Sequence, residues 1–233
     1  MKLGCSLCGW QDLSVYREGS AFETFAHNIV LSTNLEYYEF PFLPNITYSR
    51  TFLDQVIGRV YSVHASKYIF EKSMCVLKSY FLSLYEFCTK LGCSYVVVHP
   101  PTFCELQKLE VAISCMKEVI ISIENVSPHS FDMFSQYNGY CKMTIDIAHL
   151  VYLEQTDDLL SLPPDSISHF HLRGFSPNVQ YVTLENNKSS SVSRIMKESI
   201  NKFECPWLLE YPYESLFQLK RDINILKMKE NII

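Results

Sequence analysis

The chain contains no hydrophobic run long enough to cross a membrane. A membrane-spanning helix needs about 20 consecutive apolar residues, whereas the apolar residues here, 48% of the 233, fall into short segments. The N-terminal segment, residues 1–7, becomes polar too soon to resemble a secretory signal peptide. We therefore expect a cytoplasmic globular protein without a membrane segment.

Clusters of basic residues are also missing. The 20 Lys and Arg residues are outnumbered by 25 Asp and Glu, which gives a net charge of −5 and a pI of about 5.8. Proteins that bind nucleic acid neutralise its phosphates with clustered Lys and Arg, so nucleic acid is not the expected partner. No internal repeat or domain boundary is visible, and the composition predicts one globular domain over residues 1–233.

The nine cysteines do not form a recognisable disulfide or zinc framework. Their number is odd, and several lie in apolar helical segments, where reduced thiols behave as small hydrophobic side chains. Cys5 and Cys8 form a C-x-x-C, but no second such pair follows at zinc-ribbon spacing and no thioredoxin-like pattern surrounds it. We expect these two cysteines at the end of a strand, near the mouth of the barrel that the alternation of strands and helices predicts.

Short strand-like runs alternate with segments of helical periodicity. Eight runs predict strands, at residues 2–7, 35–40, 60–64, 95–99, 120–124, 142–146, 168–172 and 207–210. The clearest helix is predicted over 72–91, where Gly92 provides a stop. Other helices are predicted at 21–31, 53–59, 106–119, 131–137, 157–162, 189–203 and 215–229. This alternation predicts an α/β fold, the (β/α)8 TIM barrel, with a doubly wound open sheet as the alternative.

Six of the strand-like runs carry, at their end or one residue before it, a side chain that can bind a metal ion. These residues are His64, His99, Glu124, Asp146, His171 and Glu210. An imidazole or carboxylate buried at a strand end is costly unless it is paired or bound to a metal. In a barrel the carboxyl ends of all strands meet at one mouth, so the pattern predicts a divalent-metal site there.

Four of these residues, Glu124, Asp146, His171 and Glu210, offer a mixed oxygen and nitrogen ligand set. Such a set suits Zn²⁺ or Mn²⁺ best, with Mg²⁺ or Co²⁺ as alternatives. His64 and His99 add a position rich in nitrogen beside it. If Glu124 bridges, two ions share the mouth, so one or two ions are expected. Asp146 also has a simpler interpretation as the N-cap of the next helix.

The order of the motifs identifies a resemblance. The segments are V-H-A at 63–65, V-V-H-P at 97–100, I-E-N at 123–125, I-D-I-A-H at 145–149, H-L-R-G at 171–174 and L-L-E at 208–210. Together they resemble the xylose-isomerase-like TIM barrels, which include sugar isomerases, sugar epimerases and endonuclease IV. The resemblance implies that Glu124, Asp146, His171 and Glu210 are the metal quartet of the isomerases and epimerases.

The endonuclease IV branch of this superfamily implies further roles. His64 and His99 match the histidines that bind its second metal together with the bridging Glu124. His149 matches a ligand of its third metal, but the usual Asp-x-His partner is absent from residues 176–185. We therefore expect His149 to support the site or to contact substrate.

Three other residues have more than one interpretation. Glu39 ends the second predicted strand, where it contacts substrate or lies solvated at the rim. We expect Arg173 either to bind an anionic substrate group such as phosphate or to form a salt bridge at the rim. His169 and His171 share one face of their strand, and we predict His171 as the ligand and His169 as a packed core residue.

The sequence leaves three functions open, of which two are enzymatic and one is not. The first is a sugar or sugar-phosphate isomerase or epimerase, in which a metal stabilises an enediolate while Glu124 and Glu210 exchange protons with the substrate carbon. The second is a two-metal phosphodiester hydrolase like endonuclease IV, acting on DNA with abasic sites. The third is a non-catalytic or partner-dependent barrel. We expect a small sugar as substrate, and the pattern is compatible with a monomer or an oligomer.

Overall fold

Eight parallel strands form a closed barrel, as the sequence predicts. A computed structural model describes residues 2–8, 19–44, 46–176, 179–210 and 215–230. The barrel strands are β1 (Leu3–Ser6), β2 (Tyr37–Pro41), β3 (Val60–His64), β4 (Tyr95–Val98), β5 (Ile120–Glu124), β6 (Cys141–Asp146), β7 (Ile167–Leu172) and β10 (Trp207–Leu209). Each strand pairs with its neighbours in chain order, and β1 pairs with β10 to close the ring. The predicted (β/α)8 fold is therefore confirmed, and the open sheet is excluded.

Helices follow the strands around the outside of the barrel. In the described part of the chain they are α1 (Gly19–Thr33), α2 (Arg50–Val56), α3 (Met74–Leu91), α4 (Leu106–Met116), α5 (Ser130–Gln136), α6 (Ile147–Tyr152), α7 (Thr156–Ser161), α8 (Ser190–Ile200) and α9 (Leu216–Glu230). Helix α3 ends at Gly92, whose φ of 66° is left-handed, and its N–H donates to the carbonyls of Cys88 and Thr89. Glycine adopts this conformation without steric cost, which confirms the predicted stop.

The layer of the barrel interior just below the mouth is made of small hydroxyl side chains. Ser62, Ser122 and Thr144 each precede a candidate metal ligand by two residues, on β3, β5 and β6, and all three are fully buried. Side chains two residues apart on a strand point to the same face, so these hydroxyls lie directly beneath the ligands. Because they are short, they leave space inside the barrel for longer side chains from β2 and β7.

Aromatic residues pack the outer face of the strands against the helices. Phe170 on β7 stacks on Trp207 of β10, with ring centroids 4.2 Å apart and planes within 9°. Phe203, which precedes β10, lies 5.8 Å from Phe170. All three rings are buried. Strand alternation thus directs Phe170 outward into this cluster while its neighbours His169 and His171 point into the barrel.

A short antiparallel hairpin follows β7 and was not predicted. It consists of β8 (Gly174–Ser176) and β9 (Val179–Val182). A side chain at position 174 would bring its Cβ to 2.5 Å from the carbonyl oxygen of Thr183, so this pairing requires glycine. Within the described segments, no helix is both long and apolar enough to cross a membrane.

Replacing Phe170 by alanine should destabilise the barrel strongly, because it empties the centre of the aromatic cluster. We expect the free energy of unfolding to fall by about 3–5 kcal/mol, measured by urea denaturation followed by circular dichroism. The matched control is Phe217→Ala, since this ring is 67% exposed, and its cost should stay below about 1 kcal/mol. Equal losses in the two variants would contradict the cluster's role.

Candidate metal centre

Three of the predicted ligands meet at the carboxyl end of the barrel. His171 Nδ1 lies 3.1 Å from Glu124 Oε1 and 3.1 Å from Glu210 Oε2. These side chains are buried and come from β5, β7 and the residue that follows β10. Their ligand atoms lie within 4.8 Å of one another, so two carboxylates and one imidazole converge on one point.

Asp146 lies at the side of this group and has two roles. Its Oδ1 accepts hydrogen bonds from the backbone N–H of Ala148 at 2.8 Å and of His149 at 3.1 Å, which caps α6 as the simpler interpretation predicted. Its Oδ2 lies 3.2 Å from His149 Nδ1 and forms an ion pair with Arg173. Asp146, His149 and Glu124 also offer ligand atoms within 4.8 Å. The residue therefore caps a helix with one oxygen and faces the site with the other.

His64 and His99 form a second group around the other oxygen of Glu124. Oε2 of Glu124 lies 3.0 Å from His99 Nε2 and 3.3 Å from His64 Nε2. His64 Nδ1 lies 2.8 Å from the carbonyl oxygen of Ala65. The Ala65 carbonyl and the Glu124 carboxylate both only accept, so each ring nitrogen of His64 has an acceptor for a proton. If an ion occupies the position beside Nε2, the proton that remains on Nδ1 is donated to Ala65. Glu124 thus presents one oxygen to each histidine group.

Glu39 is not solvated at the rim, so this one of its two predicted alternatives is wrong. The register pairs Pro41 with His64 and Glu39 with Ser62, so Glu39 lies one layer below the mouth. It is fully buried and accepts hydrogen bonds from Ser6 and Ser62, both at 2.8 Å. Strand β2 extends one residue beyond its predicted end, and this shift moves Glu39 into the barrel interior.

Arg173 lies between the carboxylates of the site. It forms an ion pair with Asp146, and its guanidinium lies 3.9 Å from Glu210 Oε2. The sequence allowed either anion binding or a rim salt bridge for Arg173. The salt bridge is present, and the guanidinium points inward to the candidate ligands. His169 is packed in the core, as predicted, at 0% exposure.

A pocket of about 1360 Å³ opens above these residues. Its floor is formed by candidate site residues: His64, His99, Glu124, His149, Arg173 and Glu210. Its wall comes mainly from the segments after β2 and β3 and includes Phe42, Tyr68 and Tyr80, together with Lys67 and Lys72. This wall was not predicted, because most of its residues lie in loops, which carry no periodic pattern. Cys8 also lines the pocket, in agreement with its expected position near the mouth.

Four carboxylates are buried in and beneath this site: Glu39, Glu124, Asp146 and Glu210. Buried carboxylates repel one another unless cations compensate them. Burial by itself raises the pKa of Glu124, but the charge of His99 and hydrogen bonds from His171 and His64 hold it well below its usual range. The donor set of carboxylates and imidazoles, with this excess of negative charge, fits a divalent cation.

The same buried charges, together with burial itself, shift the pKa values of the imidazoles. Burial lowers the pKa of His64, but the hydrogen bond to Glu124 and the charges of Glu39 and Glu124 outweigh it and raise the pKa to about 9. Burial likewise lowers the pKa of His171, and the charges of Glu210 and Glu39 raise it well above its ordinary value. Burial lowers the pKa of His149 and of His169, which therefore stay neutral near pH 7. Burial and the charges of Glu39 and Glu210 raise the pKa of the Cys8 thiol well above its ordinary value, so without a metal ion beside it the thiol is protonated near pH 7.

Comparison with known proteins shows similarity of structure but not of sequence. No family model matches the chain, and no curated protein matches it. Endonuclease IV from Thermus thermophilus superposes with a TM-score of 0.70 at 14% identity, over 100% of both chains. A sugar phosphate isomerase/epimerase from Parabacteroides distasonis gives 0.66 at 10% identity, over 95% of this chain and 92% of that one.

A third structure, D-allulose 3-epimerase from a Methylomonas species in complex with D-allulose, has a TM-score of 0.63 at 14% identity and covers 92% of this chain and 85% of its own. Identities this low establish the shared fold alone. The resemblance that the motifs indicated is confirmed at the level of the barrel, and sugar epimerases and an endonuclease both occur among the similar structures.

Metal binding by the chelator-treated protein should release protons, because a bound imidazole must give up the proton that its raised pKa retains at pH 7. The pKa of His64 is about 9 in the folded protein, above the ordinary histidine value of about 6.5. The proton bound to His64 therefore stabilises the fold fully below about pH 6.5, and this contribution is lost as the pH rises through 9. Metal affinity should therefore increase over the same range.

Isothermal titration calorimetry with Zn²⁺ at pH 7, in buffers of different ionisation enthalpy, measures this release. His64→Ala should release about one proton fewer than the unaltered protein. The control His129→Ala removes an exposed imidazole and should change nothing. Equal proton release in all three proteins would contradict the assignment.

Proposed function

We propose that this protein is a divalent-metal-dependent isomerase or epimerase acting on a small sugar or sugar phosphate. One observation carries the proposal: Glu124 and Glu210 flank the same imidazole nitrogen at 3.1 Å each and both reach the pocket floor. Two carboxylates close to one point can remove and return a proton at a sugar carbon. The similarity of the barrel to a D-allulose 3-epimerase with bound sugar supports a substrate of this size.

The residues that would hold the ion are Glu124, His171 and Glu210, with Asp146 beside them. The ion supplies a Lewis acid that draws charge from adjacent sugar oxygens and makes the neighbouring C–H bond more acidic. One glutamate removes this proton and the other returns one to the adjoining or the same carbon. Arg173 pairs with Asp146 and lies 3.9 Å from Glu210. Burial raises the pKa of Glu210, but the charges of His171 and Arg173 lower it below its ordinary value, so Glu210 stays ionised and able to act as a base.

The pocket above the site supports this assignment. Its wall is mainly apolar and aromatic, a lining that is typical of sites for small organic ligands. Lys67 and Lys72 line its outer part and provide positive charge for a substrate with a phosphate group.

A second candidate, a two-metal phosphodiester hydrolase, is favoured by one observation. Glu124 offers Oε1 to His171 and Oε2 to His64 and His99, an arrangement that suits a carboxylate bridging two ions. The net charge of −5 and the missing Asp-x-His pair in residues 176–185 favour the isomerase instead.

Replacing Glu210 by glutamine should abolish activity while the fold persists. The amide keeps the size of the side chain but removes the charge and basicity needed for binding the ion and moving the proton, so the turnover rate should fall by at least about 100-fold. The matched control is Glu204→Gln, on an exposed carboxylate just before β10. It should keep the rate and the melting temperature of the unaltered protein.

The assay for this variant also separates the two reactions. The metal-loaded protein is incubated in D₂O with ketoses and ketose phosphates, and deuterium incorporation at the carbon that loses its proton is measured by NMR. A hydrolase instead nicks abasic-site DNA and leaves the sugars unlabelled. Absence of both activities would favour the non-catalytic or partner-dependent barrel.

Replacing both His64 and His99 by alanine should remove a second ion and leave the first in place. These imidazoles approach only one oxygen of Glu124, and the group around His171 remains intact. Metal content per chain, measured by plasma mass spectrometry after equilibration with Zn²⁺, should drop from two to one, by analogy with separable two-metal sites. An unchanged metal content would argue against a second position.

A further inference from the structure

Glu39 lies inside the barrel with every hydrogen-bonding position of its carboxylate used. Oε1 accepts from Ser6 Oγ at 2.8 Å and lies 3.0 Å from His171 Nε2. Oε2 accepts from Ser62 Oγ at 2.8 Å and lies 3.2 Å from His169 Nε2. A carboxylate has about four lone-pair sites, so the four groups saturate it and fix its orientation.

His171 connects this buried carboxylate to the candidate metal centre. Its Nε2 faces Glu39 below, and its Nδ1 faces Glu124 and Glu210 above. A neutral imidazole carries one proton on one of its two nitrogens. Glu39, Glu124 and Glu210 all only accept, so in the neutral ring either nitrogen has an acceptor for that proton. An ion held by Glu124 and Glu210 would occupy the lone pair of Nδ1 and leave the proton on Nε2, where Glu39 accepts it.

We propose that Glu39 is a positioning residue, which holds His171 as its Nε2–H form so that Nδ1 serves as the ligand of the divalent ion. This inference rests on the proposed metal centre but not on any particular reaction. Histidine ligands commonly donate their other N–H to a carboxylate, which sets both the tautomer and the ring orientation. Glu39 provides such a carboxylate from β2, a strand that carries none of the predicted ligands.

The surroundings of Glu39 prevent it from turning toward the substrate. His169 Nδ1 lies 2.9 Å from the hydroxyl of Ser168, which leaves its Nε2–H for Glu39. Glu39, His169 and His171 are all fully buried. The small residues Ser6 and Ser62 occupy the inward positions of the flanking strands, so the longer glutamate side chain has space beneath the mouth.

The same three residues also qualify as a possible ion site of their own, since their ligand atoms lie within 4.8 Å. The Glu39 carboxylate already accepts from four groups, which argues against a metal ion at this position. An ion there would have to displace two imidazole protons and leave two serine hydroxyls without their acceptor. The experiment below separates the two possibilities.

The test compares Zn²⁺ affinity, measured by competition with a chelating dye, in the unaltered protein and two variants. In Glu39→Gln, the amide has one acceptor oxygen and one NH₂ group, so the four donors cannot all be satisfied and His171 loses its fixed tautomer. We expect affinity to fall about 10- to 100-fold. The control Ser62→Ala removes one donor to Glu39 but leaves its contact with His171, and its affinity should change less than about 3-fold.

Nitrogen NMR of ¹⁵N-histidine-labelled, Zn²⁺-loaded protein gives a readout that folding defects do not imitate. In the unaltered protein, His171 should show a protonated Nε2 and a metal-bound Nδ1. Zinc on Nε2 of His171, or a protonated Nδ1, would overturn the proposal even if Glu39→Gln does not fold. Equal affinities in the unaltered protein and Glu39→Gln would overturn it as well.

Two further results separate this inference from the proposed function. Loss of one whole ion in Glu39→Gln, with the remaining ion bound at full affinity, would make Glu39 a ligand and overturn its positioning role. An unaltered protein that binds no divalent ion would overturn both proposals. A protein that binds Zn²⁺ as expected but leaves sugars unchanged would overturn the proposed isomerase alone, since affinity and tautomer do not depend on turnover.

Discussion

The burial of several carboxylates around His171 is the constraint on which the site depends. Glu39, Glu124 and Glu210 all contact this one imidazole, from below and from above. Charges removed from water are tolerated only when opposite charges and hydrogen bonds replace the lost solvation. His171 supplies part of this compensation, Arg173 supplies more, and the chemistry of the remaining donors matches a divalent ion. The arrangement is costly for stability, and an interior evolved for packing alone would not contain it.

The barrel makes this concentration of charge possible through two simple rules. Parallel strands bring their carboxyl ends to one mouth, and alternation places every second residue inside. Ligands therefore occupy the top layer, and the hydroxyls of Ser62, Ser122 and Thr144 occupy the layer below it. Because those hydroxyls are small, the long side chains of Glu39 and His169 reach the barrel axis. The outer faces of the same strands carry the aromatic cluster around Phe170, so the strands are stabilised from the helix side.

The reaction depends less on the barrel than on the pocket above it. Similar barrels belong to an endonuclease and to sugar epimerases, which agrees with the general independence of fold and reaction. In this chain, His64 and His99 at the second oxygen of Glu124 are arranged as a two-metal site requires. The aromatic wall with Tyr68 and Tyr80 suits a small organic substrate. The net charge of −5 does not provide the clustered positive charge on which nucleic-acid binding depends.

The positions of the strands and helices could be predicted from the sequence, and so could the set of candidate ligands that meets at the mouth. The runs at 60–64 and 120–124 coincide with β3 and β5, and the predicted ligands on them meet as expected. Local periodicity is sufficient here because it depends only on neighbours along the chain. The depth of Glu39, the two faces of His171 and the contact of Arg173 with Asp146 depend instead on register between strands distant in sequence. A one-residue extension of β2 to Pro41 places Glu39 beneath the mouth rather than at it, and only the closed barrel determines that register.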